Sequence, residues 1–132
     1  MRSHKYFLLV FFVLVSCFSA SAVRLKVTGG NVYESRNPFE YNRFVIVGNS
    51  LSRYPSGDLF VFDYSSRIMT WRDFKGKSTY RMDEIDSQGN ITIFSTPHHI
   101  IKVTKETALY IVELVYRDGN KWYLLKLNCT EQ

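Results

Sequence analysis

The stretch whose reading decides the fold is Asn37–Leu51, NPFEYNRFVIVGNSL. Asn37 is a good helix cap, Pro38 then falls at the first helical position, and Glu40 at the third, where it can reach back to the cap. From there Tyr41, Phe44, Val45, Gly48 and Leu51 share one helical face at three- and four-residue spacing. The run FVIV at 44–47 pulls the other way, since β-branched residues are stiff in helices and a buried strand looks the same. A strand has no use for Asn-Pro-Phe-Glu, so the pattern predicts a helix over 38–52.

On either side the signals are those of strands. Val23–Val27, VRLKV, alternates apolar and basic residues as a half-buried strand does, and Gly29-Gly30-Asn31 reads as a turn. Beyond Tyr54-Pro55-Ser56-Gly57 come Leu59–Tyr64, Arg67–Trp71, Thr79–Met82, Ile91–Phe94 after a turn at 87–90, and His98–Val103, with 100–109 also compatible with a short helix. The clearest pair is Ala108–Tyr116 and Lys121–Leu127, which flank Arg117-Asp118-Gly119-Asn120. Asp-Gly between apolar runs is a hairpin turn, because glycine accepts the positive φ required there. Both faces of ALYIVELVY are apolar apart from Glu113, which marks a central strand. The expected architecture is α+β: one N-terminal helix packed on a bent antiparallel sheet of four to six strands.

Residues 1–22 set the expected compartment. A basic start (Arg2, His4, Lys5), the apolar run Tyr6–Val15 and the small-x-small site Ala20-Ser21-Ala22 follow the layout of a secretory signal peptide. Ten apolar residues are too few to span a bilayer, which takes about 20. The mature protein is expected to be residues 23–132, one secreted domain with no membrane partner. Loss of Arg2 and Lys5 lowers the formal charge from +5 to +3, short of a strongly nucleic-acid-binding balance.

Cys17 leaves with the signal, so Cys129 has no internal partner; it is either a free thiol or a bridge between chains. Asn90-Ile91-Thr92 and Asn128-Cys129-Thr130 match the glycan acceptor pattern.

Chemistry-bearing residues are few. There is no phosphate-cradling glycine loop, no Gly-x-Ser-x-Gly elbow and no Cys/His set with metal spacing, so neither a cofactor nor a metal is expected. His98-His99 is the only neutral-pH proton carrier of the mature chain. General acid–base work would need a carboxylate and a cation beside it, for which Asp83, Glu84, Arg72 and Arg81 are candidates that no spacing singles out. On a strand the two histidines point to opposite faces, so the doublet also reads as a rim feature. Arg67, Arg72, Lys75, Lys77 and Arg81 interleave with Trp71, Phe74 and Tyr80. That is a nucleic-acid cue, and equally a solvated segment with core anchors. Tyr54 follows the helix, either as part of a turn or as a stacking residue at the lip of the sheet.

The layout resembles the ribonuclease-like secreted effectors of powdery-mildew fungi, which share the fold of fungal guanyl-specific ribonucleases. The residues that carry the resemblance are a signal peptide, a short first strand, one capped helix, Tyr54-Pro55 opening the sheet, and a late hairpin at Asp118-Gly119. A final strand then ends in Leu127-Asn128-Cys129-Thr130. Members of that family carry an aromatic-x-Cys motif near the mature N-terminus, bridged to the terminal cysteine; VRLKV has no cysteine, which leaves Cys129 as the orphan of that bridge. Active members place a histidine two residues after the tyrosine, where this chain has Ser56. The resemblance therefore implies a catalytically inactive scaffold that binds a host protein or RNA, suppresses plant immunity, and is open to detection by immune receptors; the candidate binding surface, read from the residues themselves, is Tyr54, Arg67, Trp71, Arg72, Lys75, Lys77, Arg81, His98 and His99. The competing expectations are an active secreted ribonuclease and a cystatin-type protease inhibitor, although the Gln-x-Val-x-Gly loop of the latter is missing.

Overall fold

Val45–Ile46 lies in the middle of the stretch read as a helix, and it is extended. In the computed structural model, which describes residues 22–35, the backbone of 45–46, and 57–132, this dipeptide forms β2, paired antiparallel with β1 (Val23–Ser35). Ile46 stands opposite Tyr33 and Val45 opposite Glu34. The rest of the expected helix and Tyr54 lie outside the described residues, as do residues 1–21 of the expected signal. A helix cap is worth about 0.5–2 kcal/mol. At Val45–Ile46 the β-branched pair and the open edge of β1 favour pairing over the local signal.

The described residues contain no helix. Eight further strands follow: β3 (Leu59–Asp63), β4 (Ile68–Asp73), β5 (Gly76–Arg81), β6 (Asp83–Gln88), β7 (Ile91–Ser95), β8 (His99–Lys105), β9 (Tyr110–Asp118) and β10 (Lys121–Glu131). They form one antiparallel sheet in the order β5-β4-β3-β1-β10-β9-β8-β7-β6. The α+β expectation, and the helix-on-sheet arrangement that the resemblance implies, are thus corrected to an all-β fold. Ile100–Lys105 is strand and not helix.

The two ends of that order, β5 and β6, are separated in the chain by Met82 alone. Residues 76–88 therefore act as one bent stretch whose first half pairs with β4 and whose second half pairs with β7. The bend is fixed in two ways. The Met82 N–H donates to the Arg67 carbonyl at 2.9 Å while its side chain is fully buried, and Glu84 takes a φ of 52° where the β6–β7 register shifts. Joining the ends of the sheet in this way curls it into a nearly closed up-and-down barrel, with the first and last strands side by side. If the bent stretch counts once, eight strands encircle the axis, a size whose interior side chains just fill.

They do fill it. Leu25, Phe60, Phe62, Met69, Met82, Phe94, Ile101, Leu114 and Leu127 are all at most 1% exposed. Phe62 on β3 meets Phe94 on β7 edge-to-face at 5.6 Å, a contact that crosses the interior between strands that do not pair. Each such aromatic contributes about 1.5–3 kcal/mol through burial.

The Gly29-Gly30 pair also proves different from the expected turn. The chain stays in β1, and the β1–β10 register shifts between Val27 and Gly29. Gly30 has a φ of 153°, and a Cβ there would lie 2.9 Å from Leu127 Cα and closer still to the Lys126 carbonyl oxygen. The glycines allow a bulge and a close backbone approach. The 117–120 hairpin is as expected, with Gly119 at φ 64° opening a Gly119-Asn120 turn between β9 and β10.

Candidate functional site

Strand alternation sorts the basic and aromatic residues of β4 and β5 onto opposite faces. Trp71 and Tyr80 lie in the inward rows, opposite Phe60 and Met69 respectively. Arg72 and Lys77 pair on the outward face, and Arg81 points outward to meet Asp83 at 3.5 Å. Arg67 sits in the β3–β4 turn with a φ of 60°, and Lys75 at the tip of the β4–β5 hairpin. The interleaving that resembles a nucleic-acid cue is thus the inside–outside period of a hairpin.

The inward aromatics meet the histidines. Tyr80 stands edge-on to His99 at 4.8 Å and to His98 at 6.0 Å, and Trp71 lies 6.0 Å from His99. Both imidazoles reach Tyr80 because His98 falls just before β8, outside the alternation expected of it. Trp71 also donates its Nε1–H to Asp58 Oδ2 at 2.8 Å. Burial raises the pKa of Asp58; the Trp71 bond opposes that rise and the charge of Asp73 adds to it.

Thr96 fixes the state of His99. The buried Thr96 Oγ1 accepts the backbone N–H of His98 at 3.1 Å and of His99 at 3.0 Å, and lies 2.8 Å from His99 Nδ1. A hydroxyl has two lone pairs and one proton. With both lone pairs taken, its proton goes to Nδ1, which must be unprotonated, so neutral His99 carries its hydrogen on Nε2. Burial, assisted by the neighbouring His98, pushes the His99 pKa down to about 4. At neutral pH His99 is a neutral ring among aromatics, with Nδ1 occupied. The acid–base candidates are elsewhere: Arg81 and Asp83 face each other outside, and Arg72 faces out. Glu34, in the same inward row as Tyr123, Tyr116 and His99, is engaged by Lys121 at 2.6 Å. A concavity of about 430 Å³ opens beside the doublet, lined by Thr96, Pro97, His98, His99, Tyr116 and Trp122 among others.

A second concavity, of about 300 Å³, lies on the outer face of β1, β3, β4 and β5. Arg24, Arg72 and Lys77 surround a floor that includes Leu59, Val61 and Thr70, with Gln132 at one side and no Asp or Glu side chain in the lining. Sequence reasoning picked out Arg72 and Lys77 and missed Arg24. The alternation of VRLKV did place Arg24 outward, but only the β1–β3 register, Arg24 opposite Val61, brings it to the others.

Cys129 is fully buried between Val27 and Tyr110, and burial pushes its thiol up to about 12. It is a free, unreactive core thiol, which removes the reading of a bridge between folded chains. Asn90 is exposed in the β6–β7 turn with its Nδ2 donating to the Lys105 carbonyl, and Asn128 is exposed on β10. Among the described residues no three His, Cys, Asp or Glu side chains gather as a metal site would require.

Comparisons with protein-family models, with curated proteins and with solved structures returned no match.

Proposed function

We propose that this chain is a secreted, non-catalytic binding module that holds an acidic host protein against the outer face of β1, β3, β4 and β5. The observation that carries the reading is the convergence of Arg24, Arg72 and Lys77 around a partly apolar floor with no acidic side chain in the lining. Three cations on one concave face raise the local concentration of an anionic partner and speed its encounter. The apolar floor adds contact area that a purely electrostatic patch lacks. A protein partner fits better than RNA, because Trp71 and Tyr80 are turned inward and the exposed Phe74 ring sits at the hairpin tip outside the concavity, which leaves the concave face itself without a stacking platform for bases. The non-catalytic part of the reading is supported by His99, whose Nδ1 is occupied by Thr96 and whose ring faces aromatics. Secretion and a role against plant immunity are kept from the sequence; a ribonuclease-shaped scaffold is not.

The test is fluorescence anisotropy with a labelled polyglutamate peptide and a single-stranded RNA, across a salt series. Wild type is expected to bind the peptide, more weakly as salt rises, and Arg24→Glu with Lys77→Glu to abolish that binding. RNA is expected to stay intact. Peptide binding that ignores the charge reversal would sink the reading. So would RNA cleavage that disappears in the His98→Ala, His99→Ala double variant.

A further inference from the structure

The β4–β5 hairpin ends in a side chain that the fold does not use. Phe74 is 91% exposed, whereas the other exposed large apolar side chains among the described residues, Ile68, Ile93 and Ile100, reach 45% at most. The turn does not ask for an aromatic. Its geometry comes from Asp73, whose Oδ1 accepts the backbone N–H of Lys75 at 2.8 Å and of Gly76 at 3.1 Å, and from Gly76 at φ 143°. Phe74 packs on nothing inside the barrel.

What surrounds the ring is mixed with a positive surplus: Lys75, Arg72 and Lys77 stand against Asp73 and Asp58, which line the small hollow beside the ring, Asp58 being engaged by the Trp71 N–H. Lys75 Nζ stands 5.5 Å from the Phe74 ring centroid, and Arg72 and Lys77 face each other across the stem. The one acid of the hairpin, Asp73, is occupied with the N–H groups of its own turn. An apolar tip whose neighbouring cations, Lys75, Arg72 and Lys77, outnumber its two acids suits the surface of an anionic bilayer. The ring would enter the boundary between headgroups and acyl chains while the cations stay among the phosphates and carboxylates, each contributing near the surface. Such contact needs no membrane-spanning segment, so it revises the sequence-based expectation of no membrane partner without contradicting the absence of a span.

We propose that the β4–β5 hairpin is a peripheral membrane-contact element that inserts Phe74 into bilayers containing phosphatidylserine. The proposal shares Arg72 and Lys77 with the acidic-protein reading and is distinguished from it by Phe74 and Lys75, which are outside the concavity that Arg24 lines.

The test is co-sedimentation of the mature chain with vesicles of phosphatidylcholine alone or with added phosphatidylserine. Wild type is expected to bind the serine-containing vesicles and to leave the neutral ones. Phe74→Ala should weaken that partition about tenfold, the size expected for one aromatic removed from an apolar boundary. Lys75→Gln should weaken it about fivefold. Because Phe74 contributes nothing to the core, Phe74→Ala should unfold at the wild-type temperature, and its polyglutamate binding should be unchanged. The two readings therefore fail separately. In Phe74→Trp, a blue-shifted emission component that appears only with serine-containing vesicles would report insertion directly. Absence of serine-dependent binding overturns the proposal. So does a Phe74→Ala variant that binds vesicles as wild type does, since that leaves charge alone at work.

Discussion

The inner and outer faces of β4 and β5 are built from the same dozen residues and behave as two different materials. Inside, Trp71 leans on Phe60 at 5.0 Å and Tyr80 on His99 at 4.8 Å, with the Trp71 N–H engaged by Asp58. Outside, Arg72, Lys75, Lys77 and Arg81 are solvated, and among the described residues their one salt bridge is the exposed Arg81–Asp83 pair. A two-residue period is enough to divide a segment into a packed face and a solvated, cationic one. Substitutions on the inner face are expected to move the unfolding transition and leave binding alone; on the outer face the reverse holds.

The largest separation is expected from Phe60→Ala. It removes a fully buried ring that touches Phe62 and Trp71, and should cost about 3–5 kcal/mol in urea unfolding. A cost below about 1 kcal/mol would mean that the barrel interior is not the packed core described here. Trp71→Phe is next. It keeps most of the ring but leaves Asp58 without its donor, and about 1–2 kcal/mol is expected from the same measurement, since the carboxylate is only half-buried and can recruit water.

His99 gives the comparison a pH axis. Its imidazole takes a proton near pH 6.5 when unfolded and only near pH 4 in the fold. Below about 6.5 the unfolded state therefore binds the extra proton. Stability is complete above that pH and falls as the pH drops toward 4. The slope has a ceiling of about 1.4 kcal/mol per pH unit and should be shallower, because the ring is partly solvated. Urea midpoints at pH 7 and pH 5 should differ in wild type and differ less in His99→Gln. Equal pH dependence in the two would remove the case for a neutral, Thr96-bonded ring. The smallest stability effect belongs to the outer face. Arg72→Ala should stay within about 0.5 kcal/mol of wild type while weakening polyglutamate binding severalfold.

The sequence made parts of this legible and hid others for definite reasons. Leu59–Asp63 and the Gly119 hairpin were plain because alternation and turn chemistry are local. Asp83–Gln88 was missed, since DEIDSQ has a single apolar residue and owes its strand character to pairing with β7 and to the buried Met82 beside it. The cap at Asn37–Glu40 outweighed FVIV in the reading, whereas at Val45–Ile46 the ladder to β1 prevails. That ladder is non-local information. The meeting of Arg24 with Arg72 and Lys77 is hidden for the same reason, because it depends on the register of β1 against β3. The histidine doublet was read as two strand neighbours on opposite faces, whereas His98 precedes β8 and both rings reach Tyr80; the Thr96 hydroxyl that sets the His99 tautomer carried no signal beyond an ordinary Thr-Pro turn.

The barrel is closed by β1 lying against β10, a ladder that holds Thr28 and Asn128 together across a hundred positions of chain. Whatever order the hairpins form in, β1 waits for β10 before its edge on that side is satisfied. Loop-closure entropy over that distance makes assembly slow. In the interval β1 offers an unpaired edge, whose alternate lysine and arginine side chains are suited to discouraging wrong partners. A chain that emerges N-terminus first cannot complete this fold until β10 has appeared.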